Sequence, residues 1–369
     1  MKIVFVSYNM NAAFNDPAQW LRRIEAYTGI MDQLSQSHTI ISIEQINYKG
    51  FLQQNNVQYI FPGYKKRPGY FQYRLHKLIR SLHPDVVVVH GLSFPLPLIQ
   101  LKAYLGEQVK IIAQHHAEKP FNTYSILQKI ADKFIHAYLF TSVEMGRDWM
   151  DKGIIKSEKK IWPVMEASSV FKLQNRNVAL QHTGAKGKPV YLFVGRLDEN
   201  KDPVTVVKAF IQFSKQNPGA CLYMIYHTTD LLPELQQILA TEANKNAVVL
   251  VGKIDHHEME YWFNSADFII SGSHYEGSGV AVCEGMSCGC IPVLTAIPAF
   301  NKLTSNGSCG LLYEKGNMES LLSALIQTQS LDITAERKKV LTQFNEALSF
   351  TAIAKQINEQ LILLCGDAE

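Results

Sequence analysis

The chain has 369 residues, enough for two domains at about 150 residues each. Its 47% hydrophobic and 19% charged residues are typical of a folded globular protein and exclude a disordered one. The formal net charge of +3 is too small to favour nucleic acid as a partner. No stretch reaches the roughly 20 apolar residues of a transmembrane helix, and the apolar run after Lys2 is too short for a secretory signal.

The charge is distributed unevenly along the chain. Residues 1–172 contain 21 Lys and Arg against 13 Asp and Glu, whereas residues 173–369 contain 15 against 20. A basic first half favours an anionic partner, such as a membrane surface or a lipid-phosphate acceptor. All six cysteines lie in the second half, and the spacing of Cys288 and Cys290 fits neither zinc nor redox chemistry. We therefore expect small buried thiols in a reducing cytoplasm.

The first half alternates short apolar runs with helical patterns, which predicts a doubly wound sheet of parallel strands. The predicted strands are residues 3–7, 38–43, 59–61, 86–90, 111–114 and 137–141. A helix is predicted over residues 20–34. Residues 64–80, which include Lys65, Lys66 and Arg67, are the most basic and aromatic stretch, and a helix is predicted from residue 70. Such a helix fits a membrane surface, and the alternative is a domain helix with a solvated face.

Two histidines, His115 and His116, follow the strand at 111–114. The carboxyl end of a strand is where doubly wound folds bind ligands, although a single histidine is often only structural. Residues 172–188 are polar and read as a hinge. A strand over 190–194 then leads into Gly195-Arg196-Leu197 and on to Lys201, before a helix over 204–213. Arg196 and Lys201 thus place two positive charges near a helix N-terminus, which Asp202 caps.

The stretch from residue 271 to 294 combines a strand end, a glycine turn and a helix. Gly277, Ser278 and Gly279 form the turn, and the helix begins near Val280. A helix N-terminus of this kind binds anions. Glu276 and Glu284 bracket the turn, and since carboxylates repel phosphate, we expect both to accept hydrogen bonds from hydroxyl groups. A sugar nucleotide offers a diphosphate between two diol-bearing rings.

The E-x7-E pattern of Glu276 and Glu284, the following M-S-C-G-C-I-P-V and the upstream G-R-L-x3-K resemble the retaining family-four glycosyltransferases of the GT-B fold. The resemblance implies an α/β protein of two Rossmann-like doubly wound domains facing a cleft. Residues 1–172 would bind the acceptor and residues 173–348 the nucleotide sugar, with a helix in 349–369 crossing back to the first domain. The family's glycine-rich loop after the first strand is replaced here by residues 8–13.

The resemblance also assigns roles to residues. It implies that Glu276 holds the donor sugar, Glu284 the ribose, and Arg196 and Lys201 the diphosphate. It also implies that a histidine faces the donor sugar, and both His115 and His116 fit that position, with His116 slightly favoured. Further donor contacts would come from the turns and the loop that lies against the base, namely Gly195, Gly252, Lys253, Gly277, Ser278, Gly279 and Val280.

The implied reaction is hexosyl transfer from a nucleotide-diphosphate sugar, a UDP- or GDP-sugar, to a sugar or lipid-linked hydroxyl with retention of configuration. It needs no further cofactor and no metal, because the cations and the helix N-terminus stabilise the leaving diphosphate. We expect a cytoplasmic protein, with peripheral association at the inner face of the membrane, in surface polysaccharide, lipopolysaccharide or other glycoconjugate synthesis. The alternatives are a phosphorylase or nucleotide-sugar epimerase on the same fold, or a non-catalytic two-domain ligand-binding protein.

Overall fold

The computed structural model describes residues 1–63, 71–120, 125–242 and 245–366. The chain divides into two compact units. The first comprises Met1–Ser168 together with Phe350–Glu369, and the second comprises Ser169–Ser349. The first unit therefore ends a few residues before the predicted boundary at residue 172.

The two units contain one sheet each. The strands are β1 (Lys2–Ser7), β2 (Thr39–Ile43), β3 (Lys49–Gln54), β4 (Val57–Pro62), β5 (Val86–His90), β6 (Lys110–Gln114), β7 (Ala137–Phe140), β8 (Ile161–Pro163), β9 (Val190–Val194), β10 (Cys221–Ile225), β11 (Val248–Gly252), β12 (Phe268–Ser271), β13 (Ile291–Thr295) and β14 (Leu311–Tyr313). The first sheet has the order β3-β4-β2-β1-β5-β6-β7-β8, and the second has the order β11-β10-β9-β12-β13-β14.

Helices connect these strands. They are α1 (Pro17–Arg23), α2 (Glu25–Leu34), α3 (Tyr73–Ser81), α4 (Pro95–Leu105), α5 (Ser125–Asp132), α6 (Arg147–Asp151), α7 (Arg176–Thr183), α8 (Pro203–Gln216), α9 (Leu232–Thr241), α10 (Met259–Ser265), α11 (Val280–Ser287), α12 (Pro298–Leu303), α13 (Met318–Gln327), α14 (Ile333–Gln343) and α15 (Phe350–Gly366). Among the described residues, no helix is both long and apolar enough to cross a bilayer.

The first sheet differs from its prediction in two strands. The sequence predicts parallel strands throughout, but β3 pairs antiparallel with β4 at the edge of the sheet. Its sequence is half polar and its residues are largely exposed, so it lacks the apolar run of a buried parallel strand. The second strand that the prediction omits, β8, has only three residues.

The helices differ from the sequence prediction in two places. The single helix over 20–34 is interrupted at Ile24, whose φ and ψ of −108° and 17° are not helical. The hinge over 172–188 contains α7, which packs on α10 in the second unit. Asn175 caps the N-terminus of α7, and Gly184, in the left-handed conformation, ends the helix. Both are common helix-end residues, but the hinge was predicted from the polar composition of the segment alone. The predicted helix start at residue 70 lies outside the described residues, and α3 begins at Tyr73.

The last helix, α15, belongs to the first unit and packs on α2. Its buried face consists of Ile353, Ala354, Ile357 and Leu361. The helices approach closely at Gly29, where an added Cβ would lie 2.6 Å from the ring of Phe350. Among the cysteines, Cys365 on this helix is partly exposed, whereas the other five are buried, and none of the six forms a disulfide.

Each sheet reverses its direction of winding at its centre. In the first sheet the chain moves from β1 outward to β2 on one side and later to β5 on the other. In the second sheet β9 lies between β10 and β12 in the same way. Open α/β sheets bind ligands outside the carboxyl ends of the strands at such a switch point. A ligand site is therefore expected at the loops after β9 and β12 in the second unit, and at those after β1, β5 and β6 in the first.

Candidate active site

Two loops lie side by side at the switch point of the second unit. One spans residues 195–202, between β9 and α8, and the other spans residues 272–279, between β12 and α11. The backbone N–H of His274 donates to the carbonyl oxygen of Asn200 at 2.8 Å. The Asn200 side-chain amide donates to the Tyr275 carbonyl oxygen at 3.0 Å. The fold therefore brings the two predicted motifs together.

The approach of these loops depends on Gly272. A Cβ at this position would lie 2.9 Å from the carbonyl oxygen of Asp202 and 3.0 Å from that of Lys201. Both distances are shorter than a carbon and a carbonyl oxygen normally allow, so a larger residue would separate the loops. Gly272 is not among the site residues predicted from the sequence. The only signal for it in the sequence is its position at the junction of a strand and a loop.

The predicted charges meet across the two loops. Lys201 Nζ forms an ion pair with Glu276 Oε1, and the two side chains are 19% and 13% exposed. Arg196 is half exposed, and its Nε lies 3.0 Å from Asp198 Oδ2. The sequence predicts both cations and Glu276, but it gives no sign of these partners. Each cation is thus paired with a carboxylate of the same two loops.

Asp202 caps α8 as predicted, with its side chain accepting a hydrogen bond from the N–H of Thr205 at 3.2 Å. Its φ of 44° lies in the left-handed region that non-glycine residues seldom adopt. A hydrogen bond from its own N–H to the Asp198 carbonyl at 3.1 Å helps to hold this conformation. Its second oxygen lies 3.2 Å from Nε2 of His274 on the neighbouring loop.

The N-terminus of α11 faces the same region. Gly279 precedes it with a φ of 66°, and a Cβ there would lie 2.8 Å from the Phe300 ring, so glycine is required. Among the described residues no side chain caps this helix, whose first turn starts at Val280. Gly277 and Ser278 are buried beside it. The geometry confirms the predicted glycine turn and leaves a helix N-terminus of the kind that binds anions.

Glu284 lies one turn into α11 and is buried. Its Oε1 is 2.9 Å from Nε2 of His256, a half-exposed residue whose ring packs on Phe171 with 4.9 Å between centroids. The sequence interpretation omits His256 and Phe171. Gly252, at the end of β11, has a φ of 84°, and the adjacent Lys253 is exposed.

The two predicted histidines of the first unit have different surroundings. His115 is buried, stacks on Phe140 with 4.5 Å between centroids, and its Nε2 lies 2.9 Å from the carbonyl oxygen of Glu118. Burial lowers its pKa below the ordinary value for histidine. It is therefore an interior residue of its unit.

His116 is partly exposed, with 25% of its side chain accessible. Its Nδ1 pairs with Glu166 Oε2, and its Nε2 is 3.0 Å from Nδ1 of His90. Burial lowers the pKa of His116, but the hydrogen bond and charge of Glu166, with the charge of Glu118, outweigh burial and raise that pKa above its ordinary value. Neither His90 nor Glu166 is among the sequence-predicted residues.

The first residue of the loop after β1 is packed into the first unit, whereas residues 9–13 are exposed or partly exposed. Tyr8 is buried, with its hydroxyl 3.0 Å from Nε2 of His76 and its ring 5.6 Å from that of Phe94. The substitution of residues 8–13 for a glycine-rich loop therefore fills this end of the sheet with an aromatic side chain. Within the described parts of the chain, no cluster of three His, Cys, Asp or Glu residues could hold a metal ion.

The sequence of the second unit matches a known protein family. The profile of the family described as glycosyl transferases group 1 matches residues 176–341. A similar protein is GDP-mannose:cellobiosyl-diphosphopolyprenol alpha-mannosyltransferase of Xanthomonas oryzae pv. oryzae, with 27% identity over 260 residues. The match covers 68% of this chain and 66% of that relative, slightly less than two thirds of its length.

Solved structures show the same fold. A glycosyltransferase from Rickettsia africae superposes with a TM-score of 0.75 at 14% identity and covers 100% of both chains. Anabaena HepE in complex with UDP superposes with a TM-score of 0.73 at 16% identity, covering 98% of this chain and 99% of that one. These likenesses concern the fold and confirm the predicted GT-B class. The matched profile shows the sequence pattern of the group 1 glycosyltransferases in the second unit, over residues 176–341.

Proposed function

We propose that this chain transfers a hexosyl group from a nucleotide-diphosphate sugar to a hydroxyl acceptor, with retention of the anomeric configuration. The observation that carries the proposal is the meeting of Lys201 with Glu276 beside the N-terminus of α11. Lysine and a helix N-terminus bind phosphate, whereas a carboxylate binds sugar hydroxyls. The groups that bind phosphate and the group that binds hydroxyls are therefore adjacent, as the phosphate and the sugar are in the donor.

The donor enters by exchange of partners. Lys201 leaves Glu276 for a phosphate oxygen, and Arg196 leaves Asp198 in the same way, so that both cations face the diphosphate. Glu276 is then free to accept hydrogen bonds from the hydroxyls of the transferred sugar. Because both cations are already paired before the donor binds, each phosphate contact replaces an existing one, and the net gain is smaller than for an isolated lysine.

The nucleoside lies beyond the diphosphate, with its ribose at Glu284 and its base against the loop that contains Gly252 and Lys253. Glu284 Oε1 is occupied by His256, which leaves its second oxygen for a ribose hydroxyl. The base is uracil or guanine. Guanine is supported by the GDP-mannose in the name of the similar transferase, and uracil by the UDP in the HepE complex.

The leaving diphosphate needs its charge stabilised as the glycosidic bond breaks. Arg196, Lys201 and the N–H groups at the start of α11 supply this stabilisation where the charge develops. No divalent metal takes part, since the cations are provided by the chain. Departure of the diphosphate from the face that the acceptor hydroxyl attacks lets a phosphate oxygen take the acceptor proton, which gives retention.

The acceptor binds to the first unit and is sugar-like or lipid-linked, in a pathway of surface polysaccharide or another glycoconjugate. A membrane-bound acceptor is supported by the basic character of residues 1–172 and by exposed aromatic rings near α3. Phe71 is 81% exposed and Tyr73 52% exposed, and Lys77 Nζ lies 4.6 Å from the centre of the Tyr73 ring. The basic residues Lys65, Lys66 and Arg67 lie outside the described residues. The protein thus works in the cytoplasm, at the inner face of the membrane.

A thermal-shift screen with UDP, GDP, ADP and CDP, in the presence of excess EDTA, tests this function first. One nucleotide should raise the melting temperature, and the matching radiolabelled sugar nucleotide should lose its sugar to an acceptor in the same buffer. A melting temperature unchanged by all four nucleotides would contradict donor binding. Binding without any transfer to acceptor would instead support the non-catalytic alternative.

A further inference from the structure

Three polar side chains form a chain of contacts in the first unit. His90 is the last residue of β5, His116 follows the end of β6, and Glu166 follows β8. His116 Nδ1 pairs with Glu166, and His116 Nε2 lies 3.0 Å from Nδ1 of His90. Both ring nitrogens of His116 are thus occupied by other side chains of the same unit. Neither can reach a substrate without breaking one of these contacts.

The nitrogen that remains is Nε2 of His90. Of the residues with a described position, none forms a hydrogen bond to it, and the His90 side chain is partly exposed. The ring is held on one side by Phe5, with 5.9 Å between centroids, and on the other by His116 at 5.2 Å. His90 therefore has a ring held between two others at the carboxyl edge of the sheet, with one nitrogen to which no described residue bonds.

We propose that His90, rather than His116, contacts the substrate in this unit, donating a hydrogen bond from its Nε2–H to a hydroxyl oxygen of the carbohydrate. His116 and Glu166 are positioning residues, because their contacts fix the tautomer of His90. This inference rests on the proposed glycosyl transfer and deepens it, because it names a residue for the unit that holds the acceptor.

The positions of the protons follow from the contacts. Burial, with the charge of His116, lowers the pKa of His90 to about 3, so its ring stays neutral. When His116 is charged, both its nitrogens carry protons, and its Nε2–H donates to Nδ1 of His90. The single proton of His90 then lies on Nε2, where it can be donated.

The same chain behaves differently when His116 is neutral. Its remaining proton stays on Nδ1, facing the Glu166 carboxylate, and its bare Nε2 becomes an acceptor. His90 must then donate from Nδ1, which leaves its own Nε2 without a proton. The charge of His116 thus determines whether Nε2 of His90 donates or accepts.

The pH at which this happens depends on the groups around His116. Besides His90, it interacts with Glu166, Glu118, the Tyr27 ring and His115. The two carboxylates raise the pKa of His116 above its ordinary value despite burial. The charged form is therefore complete at low pH and is lost as the pH rises through this raised pKa. Donation by His90 should be lost over the same range.

Two substitutions at His90 distinguish the contribution of its Nε2–H group from the contribution of its ring. His90→Phe keeps a ring but removes the N–H, and kcat/KM for sugar transfer should fall about tenfold, as expected for one lost hydrogen bond to substrate. His90→Gln keeps an N–H near the position of Nε2 and should recover most of this loss, without the alkaline fall in activity. The control His83→Asn, at the opposite end of β5, should change neither quantity. Equal losses in the Phe and Gln variants would overturn the proposal.

Imidazole ¹⁵N spectra of the wild-type protein test the tautomer without any turnover. At a pH below the alkaline fall, His116 should be protonated at both nitrogens and His90 at Nε2 alone. Glu166→Gln should move the titration of His116, and the alkaline fall in kcat/KM, to lower pH. A proton on Nδ1 of His90 at low pH would overturn the inference even if the chain transfers sugar. Correct tautomers in a chain that transfers no sugar would instead count against the proposed function.

Discussion

Lys201 and Glu276 carry opposite charges and form an ion pair across the two loops. Their positions could be predicted from the sequence, because a lysine after a strand and a glutamate before a glycine turn are local patterns. Their contact could not, since the residues lie 75 positions apart and meet only through the order of β9 and β12. The same holds for Asp198, His256 and Glu166, whose partners become visible only in the folded chain.

Lys201 is mostly buried and Arg196 is half exposed, so their replacement should have unequal effects on turnover. Lys201→Ala removes a phosphate contact and also leaves the mostly buried Glu276 without its partner, whereas Arg196→Ala affects a half-exposed side chain. Each change should lower kcat/KM at least about tenfold, with the larger loss at Lys201, because a charge-assisted contact is worth roughly 1.5–3 kcal/mol. Steady-state kinetics with the intact donor measures this.

The control for both variants is Lys208→Ala, an exposed lysine on α8 outside the two loops. It should leave kcat/KM unchanged. Unchanged turnover in both Lys201→Ala and Arg196→Ala, in proteins with normal circular dichroism, would exclude the diphosphate role of these residues.

At the scale of elements, strongly patterned segments were predictable and short or polar ones were not. The buried strands β5 and β9 are continuous apolar runs, and their bounds are the predicted ones, residues 86–90 and 190–194. The edge strand β3 and helix α7 are stabilised by tertiary partners rather than by apolar periodicity. For α7 that partner is Asp267, which receives a bidentate contact from Arg176.

Asp267 should accordingly matter more for stability than for binding. It also accepts the backbone N–H of Val190 at 2.9 Å and lies 3.6 Å from Arg337, so it joins α7, β9 and α14 at the amino end of β12. Asp267→Ala leaves these donors unsatisfied and should cost about 1–3 kcal/mol of unfolding free energy. Differential scanning calorimetry should show a melting temperature several degrees lower.

Nucleotide affinity below that melting temperature should be unchanged, because Asp267 lies at the end of the strand opposite to the loops. Glu319→Ala, an exposed acidic residue at the start of α13, serves as the matched control and should leave the melting temperature where it is. Equal melting temperatures for the two variants would contradict the structural role of Asp267.

The division of the chain into two α/β units could be predicted from the alternation of strands and helices. The boundary was less predictable, because α15 follows the second unit in sequence and belongs to the first in space. The charge is also a property of the whole molecule, since the basic excess of residues 1–172 involves many elements and no single motif.

This charge predicts binding to anionic lipid. Vesicles with phosphatidylglycerol should bind the protein in a sedimentation assay more than phosphatidylcholine vesicles do, and added salt should weaken the binding. Replacing Lys65, Lys66 and Arg67 by Gln should reduce it. The same triple replacement at Lys208, Lys215 and Lys338, all exposed in the second unit, should not. Salt-independent partitioning that is equal for both lipids would favour a soluble acceptor.

Isothermal titration of the nucleoside diphosphate tests the placement of the donor most directly. Glu284→Ala should weaken binding of the nucleoside diphosphate by about tenfold or more, because a buried carboxylate that accepts a ribose hydroxyl is worth roughly 1.5–3 kcal/mol. Glu276→Ala should leave that affinity nearly unchanged while lowering turnover with the intact donor, because its partner is the transferred sugar. If Glu276→Ala weakens nucleotide binding and Glu284→Ala does not, the donor lies in the opposite direction along α11.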